Sequence, residues 1–194
     1  LSIKRQTPET AVDLKGNNTH LLVPTLIILP LIGIVLAGIF FLGKLTLGEI
    51  YHRDALVAIS QNKGLDAYNK LVQAEKANPN VDLYRVDLVQ INFALANAIA
   101  AQKGPTEASP AGSLTDTDKQ NIQSLLQQAI AEGRAAVSLV PRSAGNWEIL
   151  ANLYRQIQGV TQNALQFSLD SYGRAIQLDP LNPVLRLAVG EIYY

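Results

Sequence analysis

The chain has 194 residues, of which 16 are Lys or Arg, 16 are Asp or Glu and two are His, and it contains no Cys and no Met. A formal net charge of zero provides no basic surface for nucleic acid, and the absence of Cys excludes disulfides, thiol nucleophiles and Cys-containing zinc sites. Two His are too few for a His-rich metal cage.

The first predicted elements are a polar N-terminal segment over residues 1–20 and a transmembrane helix over residues 21–43. The helix reads LLVPTLIILPLIGIVLAGIFFLG, with no charged residue between His20 and Lys44. Since a helix rises about 1.5 Å per residue, roughly 20 apolar residues cross a hydrocarbon core of about 30 Å. A buried helix in a soluble core is the alternative, but such helices usually carry a polar stripe. The run therefore predicts one membrane span and a lipid bilayer as partner.

Basic residues on the two sides of the span predict its orientation. Lys4, Arg5 and Lys15 precede the apolar run, whereas Lys44 and Arg53 follow it. Because cytoplasmic flanks carry the excess of Lys and Arg, the N terminus is predicted to be cytoplasmic and the C-terminal part extracytoplasmic.

Three segments after the span share a pattern that ends at a proline, at Pro79, Pro141 and Pro180. Small residues recur five and twelve positions before each proline. They are Ala74, Ala136 and Ala175 at five positions, and Ala67, Ala129 and Ser168 at twelve. Small residues at fixed spacing allow two helices to approach closely, so the pattern predicts packed helical hairpins.

These spacings resemble the tetratricopeptide repeat (TPR), a 34-residue helix-turn-helix unit with a proline closing its second helix. After Pro141 the sequence matches the W-x-x-L-[GA]-x-x-Y pattern of the repeat. The matching residues are Trp147, Leu150, Ala151 and Tyr154. The resemblance implies an α-solenoid of about three and a half TPR-like hairpins over residues 44–194. Together with the apolar run, the predicted fold is all-α, with one transmembrane helix followed by this solenoid.

Two insertions interrupt the repeats. Residues near 103–115 read KGPTEASPAGSLT, a composition that predicts a flexible loop. Thr115 followed by Asp118 predicts a capping box at the start of the next helix. RQIQGVTQNA, which begins at Arg155, predicts a lengthened turn between two helices.

TPR proteins bind peptides or other proteins in a concave groove lined by the first helix of each hairpin, so the resemblance implies such a protein-binding groove here. The residues implied are Leu83, Val86, Gln90, Phe93, Glu148, Asn152, Arg155, Leu187, Glu191 and Tyr194. This mixture lacks the Lys/Arg clamp that captures a terminal carboxylate. The alternative is that these residues are only solvated positions of a curved surface.

No catalytic, cofactor-binding or metal-binding residue is predicted, since the chain has no motif for a nucleophile, a dinucleotide or a metal on a plausible scaffold. His20 and His52 are interpreted as interfacial polar residues at the membrane. The chain is therefore predicted not to be an enzyme, to need no cofactor and not to bind nucleic acid.

The leading hypothesis is a membrane-anchored, non-catalytic scaffold that mediates protein–protein interaction or assembly of a membrane complex. The alternative is the C-terminal TPR module of a polytopic bacterial protein, because a final span followed by Ala-rich repeats is similar to O-antigen ligases and polymerases. A third hypothesis is a structural subunit that self-assembles through the uncapped last repeat. The first residue is Leu and there is no Met, so the chain is expected to be a processed product or a piece of a longer protein.

Overall fold

The computed structural model describes residues 19–104 and 112–193, with side chains from residue 26 onward. These residues form seven α-helices and no strand, as the predicted all-α fold requires. The helices are α1 (Thr19–Ser60), α2 (Gly64–Ala77), α3 (Asp82–Lys103), α4 (Asp116–Leu139), α5 (Ala144–Gln156), α6 (Ala164–Leu178) and α7 (Pro183–Tyr193). The predicted N-terminal segment up to residue 18, most of the predicted flexible insertion and Tyr194 lie outside the described residues.

The chain divides at Gly43 into two compact units, residues 1–43 and 44–194. In the first unit, every described side chain of α1 from Leu26 onward is exposed. Leu29 and Phe41, for example, expose 64% and 65% of their surface. Within the described part of the chain, α1 is the one helix long and apolar enough to cross a membrane, judged by length and composition.

The second unit consists of helical hairpins. The part of α1 from Lys44 onward precedes α2, α3 precedes α4, α5 precedes α6, and α7 follows as a single helix. Side-chain caps mark the starts of α4 and α5, where Thr115 and Ser143 accept hydrogen bonds from backbone amides. The Thr115 side chain accepts a hydrogen bond from the Asp118 amide while Asp118 accepts one from the Thr115 amide, which confirms the predicted capping box. The turn between α5 and α6 spans residues 157–163, where the lengthened turn was predicted.

The small residues of the repeat pattern lie at the helix contacts, as predicted. All six, the alanines 67, 74, 129, 136 and 175 together with Ser168, expose 1% of their surface or less. Gly133, eight positions before Pro141, marks an especially close approach of α4 to α5. A Cβ added there would lie 2.9 Å from Leu150 Cδ1, so a larger residue would force that side chain to move.

Three apolar clusters join the hairpins in sequence. The first contains buried residues of α1, α2 and α3, including Ala55, Leu71 and Leu88. A second joins α3 and α4 to α5 and α6, and a third joins α5 and α6 to α7, where Leu185 is buried. Each cluster therefore connects one hairpin to the next, which is how repeat proteins bury a core that no single unit could form.

The interpretation of His52 as an interfacial residue was wrong. His52 exposes only 6% of its surface, and its Nε2 lies 2.6 Å from Asp87 Oδ2 on α3. Its ring also packs against Tyr84, with the ring centres 5.0 Å apart. His52 is buried because the end of α1 is the first helix of the first hairpin, and a buried polar side chain requires a partner.

Candidate functional site

The predicted groove residues within the described range lie on the first helices of two hairpins, α3 and α5, and on the single helix α7. Helix α3 carries Leu83, Val86, Gln90 and Phe93, α5 carries Glu148, Asn152 and Arg155, and α7 carries Leu187 and Glu191. Their exposure differs along each helix. Leu83 and Leu187 expose 49% and 64% of their surface, whereas Val86 exposes 7% and contributes to the core.

Three of these residues line one cavity between α3 and α5. Gln90 and Phe93 from α3 and Asn152 from α5 form part of its wall, and Gln156 lies one turn beyond Asn152. The volume of the cavity is about 250 Å³. Its wall combines three side-chain amides with apolar groups, so it can accept an apolar side chain beside polar backbone.

The orientation of the Asn152 amide is fixed by its neighbours. Tyr172 of α6 donates its hydroxyl to Asn152 Oδ1 at 2.6 Å, and Arg155 Nη2 approaches the same oxygen at 3.5 Å. The Tyr172 hydroxyl is protonated at neutral pH and can donate, and burial raises its pKa further. The Oδ1 atom is occupied as an acceptor, which leaves the Asn152 Nδ2 group to serve as a donor to a ligand.

Arg155 connects α5 to α7. Its Nη1 donates to Glu191 Oε2 at 2.7 Å, with both side chains partly exposed. Arg155 is the one cation among the predicted groove residues, and this ion pair engages it. With this pair formed, Glu148 remains charged, so the predicted groove residues carry a net charge of −1.

Sequence reasoning missed a set of polar contacts that fix the position of α3 below the groove. Arg85 Nη1 lies 2.8 Å from carboxylate oxygens of both Glu75 on α2 and Glu132 on α4. Burial, followed by the nearby Glu75 charge, raises the pKa of Glu132. Asn146 Nδ2 donates to Asp82 Oδ2 at 2.7 Å across two hairpins. These partners lie 10 to 64 positions apart in sequence, and no local pattern pairs them.

Across residues 19–104 and 112–193 no group of three or more His, Asp or Glu side chains is placed to hold a metal ion. The polar clusters that the structure does show are ion pairs and hydrogen bonds between helices. The predicted groove residues form a surface that includes a cavity with side-chain amides and apolar groups in its wall.

Comparison with known proteins shows which solved structures the fold resembles. No protein-family model matches the chain, and no curated protein matches it. Among solved structures, the chain is similar to the first TPR of Spaghetti (RPAP3) bound to the HSP90 peptide SRMEEVD, with a TM-score of 0.55 and 13% identity over 77% of this chain and 92% of that one. It is also similar to the Arabidopsis OM64 TPR domain, with a TM-score of 0.55 and 12% identity over 77% of this chain and 97% of that one.

These similarities confirm the TPR-like fold. At 12–13% identity they establish the arrangement of helices and not the identity of a ligand. Nothing among them links the chain to O-antigen ligases or polymerases.

Proposed function

We propose that this chain is a membrane-anchored, non-catalytic scaffold whose first-helix surface binds a segment of another protein. The observation that carries the proposal is the cavity between α3 and α5, because it brings Gln90, Phe93 and Asn152 together on the helices that face the ligand in TPR proteins. In the RPAP3 structure, a TPR domain of the same fold holds a peptide.

The chemistry of the cavity favours an extended, uncharged peptide segment. Side-chain amides both donate and accept hydrogen bonds, so Gln90 and Gln156 can pair with peptide N–H and C=O groups, and the Asn152 Nδ2 group can donate to a peptide C=O. Phe93 in the same wall offers apolar contact to one side chain of the ligand. Because Arg155 is paired with Glu191, the surface offers no unpaired cation from the predicted set to a terminal carboxylate.

The proposed anchor is the apolar part of α1, over residues 21–43, with residues 44–194 as the interaction domain and residues 1–20 as a polar flank. Exposure of every described side chain from Leu26 to Gly43 supports this, since large exposed apolar surfaces mark contact with lipid or protein. The excess of basic residues before the span supports an extracytoplasmic solenoid.

Site-specific photo-crosslinking in cells tests the binding surface. A photoreactive amino acid at Gln90 is expected to give discrete adducts with one or a few proteins, because this position lies in the cavity wall. The same amino acid at Gln120, an exposed position on α4, serves as the matched control and is expected to give none. Equal adducts from both positions, or adducts from Gln120 alone, would contradict the proposal.

A further inference from the structure

A second cleft lies on the other helices of the same hairpins, between α4 and α6, with α5 as its floor. Its volume is about 440 Å³, within the range of small-ligand and side-chain pockets. The lining residues that carry the argument are Arg134, Trp147, Tyr154, Phe167, Asp170 and Arg174. None of these is a predicted groove residue.

The Arg134 guanidinium is held over the aromatic part of the cleft. Its Nε donates to the Tyr154 hydroxyl at 2.8 Å. Its central carbon lies 5.9 Å from the centre of the Tyr154 ring and 5.7 Å from that of Phe167, the distances of cation–π contacts. These contacts order a long side chain before any ligand arrives, which reduces the entropy lost on binding.

The charges of the cleft are unbalanced. Within the described ranges of the chain, Arg134 contacts a tyrosine hydroxyl and Arg174 a glutamine oxygen, and neither has a carboxylate partner. Asp170 is the one carboxylate in the lining, and it accepts from Gln166 at 2.9 Å. The lining therefore carries two guanidinium groups against one carboxylate.

The spacing of these groups suits a short stretch of polypeptide. Arg134 contacts Phe167, and Arg174 lies seven residues farther along α6, a rise of about 10 Å. About three residues of extended chain cover that distance. Trp147, Tyr154 and Phe167 line the same cleft and provide its aromatic surface.

We propose that this cleft docks an acidic peptide segment of a partner protein, with large apolar side chains on the aromatic floor and a carboxylate on each guanidinium. Arg binds carboxylates through parallel N–H donors, and Nη1 and Nη2 of Arg134 remain available for this pairing. The scaffold then has two separate surfaces, one on the first helices whose predicted residues carry a net charge of −1 and a cationic aromatic one that includes the second helices.

Trp147, the single tryptophan of the chain, lines this cleft and reports on its occupancy. The full chain in non-ionic detergent is titrated with the capped peptide EFLE while tryptophan fluorescence is recorded. A saturable change is expected, and the neutral peptide QFLQ is expected to bind about tenfold more weakly because it lacks the charge pairs.

Charge reversal provides the decisive variants. The double variant Arg134→Glu with Arg174→Glu is expected to lose the fluorescence response to EFLE. It should instead give a fluorescence response to the basic peptide KFLK. Arg174→Glu alone removes a single glutamine contact and tests the cleft if the double variant loses helicity. Arg186→Glu, an exposed arginine of α7 outside the cleft, should behave as wild type. Absence of a saturable response, equal binding of EFLE and QFLQ, or unchanged EFLE binding by the reversed variants would overturn the proposal.

Discussion

Small side chains determine where the helices of the second unit approach each other. Ala67, Ala136 and Ala175 each expose 1% of their surface or less. Because a buried alanine leaves no space for further atoms, its position constrains the distance between two backbones.

Replacement of one buried alanine should therefore destabilise the fold. Ala136→Leu inserts bulk between packed helices and is expected to lower the free energy of unfolding by about 1–3 kcal/mol. Ala131→Leu, on an exposed face of the same helix, is the control and should change it by less than about 0.5 kcal/mol. Denaturant unfolding of both variants measures the difference, and equal stabilities would contradict the packing described for α4.

The burial of residues whose hydrogen-bond partners are distant in sequence could not be predicted from the repeat spacing. The spacing before each proline identified the small contact residues, because the repeat has a fixed period. The burial of His52 depends on Asp87 of a different helix, 35 positions away. Asn92 is also buried, and it occupies a position where the repeat pattern has an aromatic residue. Pairing of this kind is a property of the folded chain and leaves no local signal.

At the scale of the element, the start of α4 depends on Asp118. Its side chain accepts from Lys103 Nζ at 2.9 Å and from the Thr115 hydroxyl and amide at 2.7 and 3.0 Å. The hydrogen bond from Lys103, followed by those from Thr115, lowers the pKa of Asp118 from 3.8 to about 2. One carboxylate thus both caps α4 and contacts the end of α3.

This depressed pKa predicts a specific acid sensitivity. A carboxyl group with a lower pKa in the folded state contributes stability above its unfolded pKa of 3.8, and that contribution is lost as the pH falls toward about 2. Asp118→Asn should lower the melting temperature at pH 7 and flatten its decline between about pH 4 and 2. Melting followed by circular dichroism measures both effects.

Asp116→Asn is the matched control for this experiment. Asp116 lies in the same first turn of α4, but its side chain is 92% exposed and forms an exposed ion pair with Lys119. Asp116→Asn should therefore leave the pH dependence of the melting temperature close to that of wild type, since exposed ion pairs contribute little to stability. The same acid profile for both variants would show that the capping box does not stabilise α4 in the way described.

Helix boundaries could be predicted from the sequence where a capping box or extra turn residues marked them. Thr115 and Asp118 identified the start of α4, and the extra residues after Tyr154 identified the long turn before α6. The predicted groove residues within the described range lie on α3, α5 and α7, and their role in binding stays a prediction. Their side-chain exposure was not predictable, since Val86 faces the core while Gln90, one turn later, is exposed.

At the scale of the molecule, the proposed membrane anchor can be tested by charge. Each Arg near the centre of a transmembrane helix costs about 2.5–3.5 kcal/mol on insertion. Ile32→Arg with Leu36→Arg is therefore expected to move the protein from the alkali-resistant membrane pellet to the soluble fraction. Val184→Arg with Leu187→Arg, at exposed apolar positions of α7, should leave it in the pellet. Release of the wild-type protein by alkaline carbonate would contradict the anchor.

The central proposal combines the scaffold with its anchor. In this proposal a membrane-bound TPR-like domain captures another protein on α3, α5 and α7. The most direct measurement is quantitative recovery of partners by the full chain from solubilised membranes, with wild type compared with Asn152→Ala plus Arg155→Glu. Arg142→Glu, an exposed charge reversal beyond the end of α4, is the control. We expect at least about a tenfold loss of one specific partner in the double variant and no loss in the control. Equal recovery by wild type and the folded double variant would contradict the account.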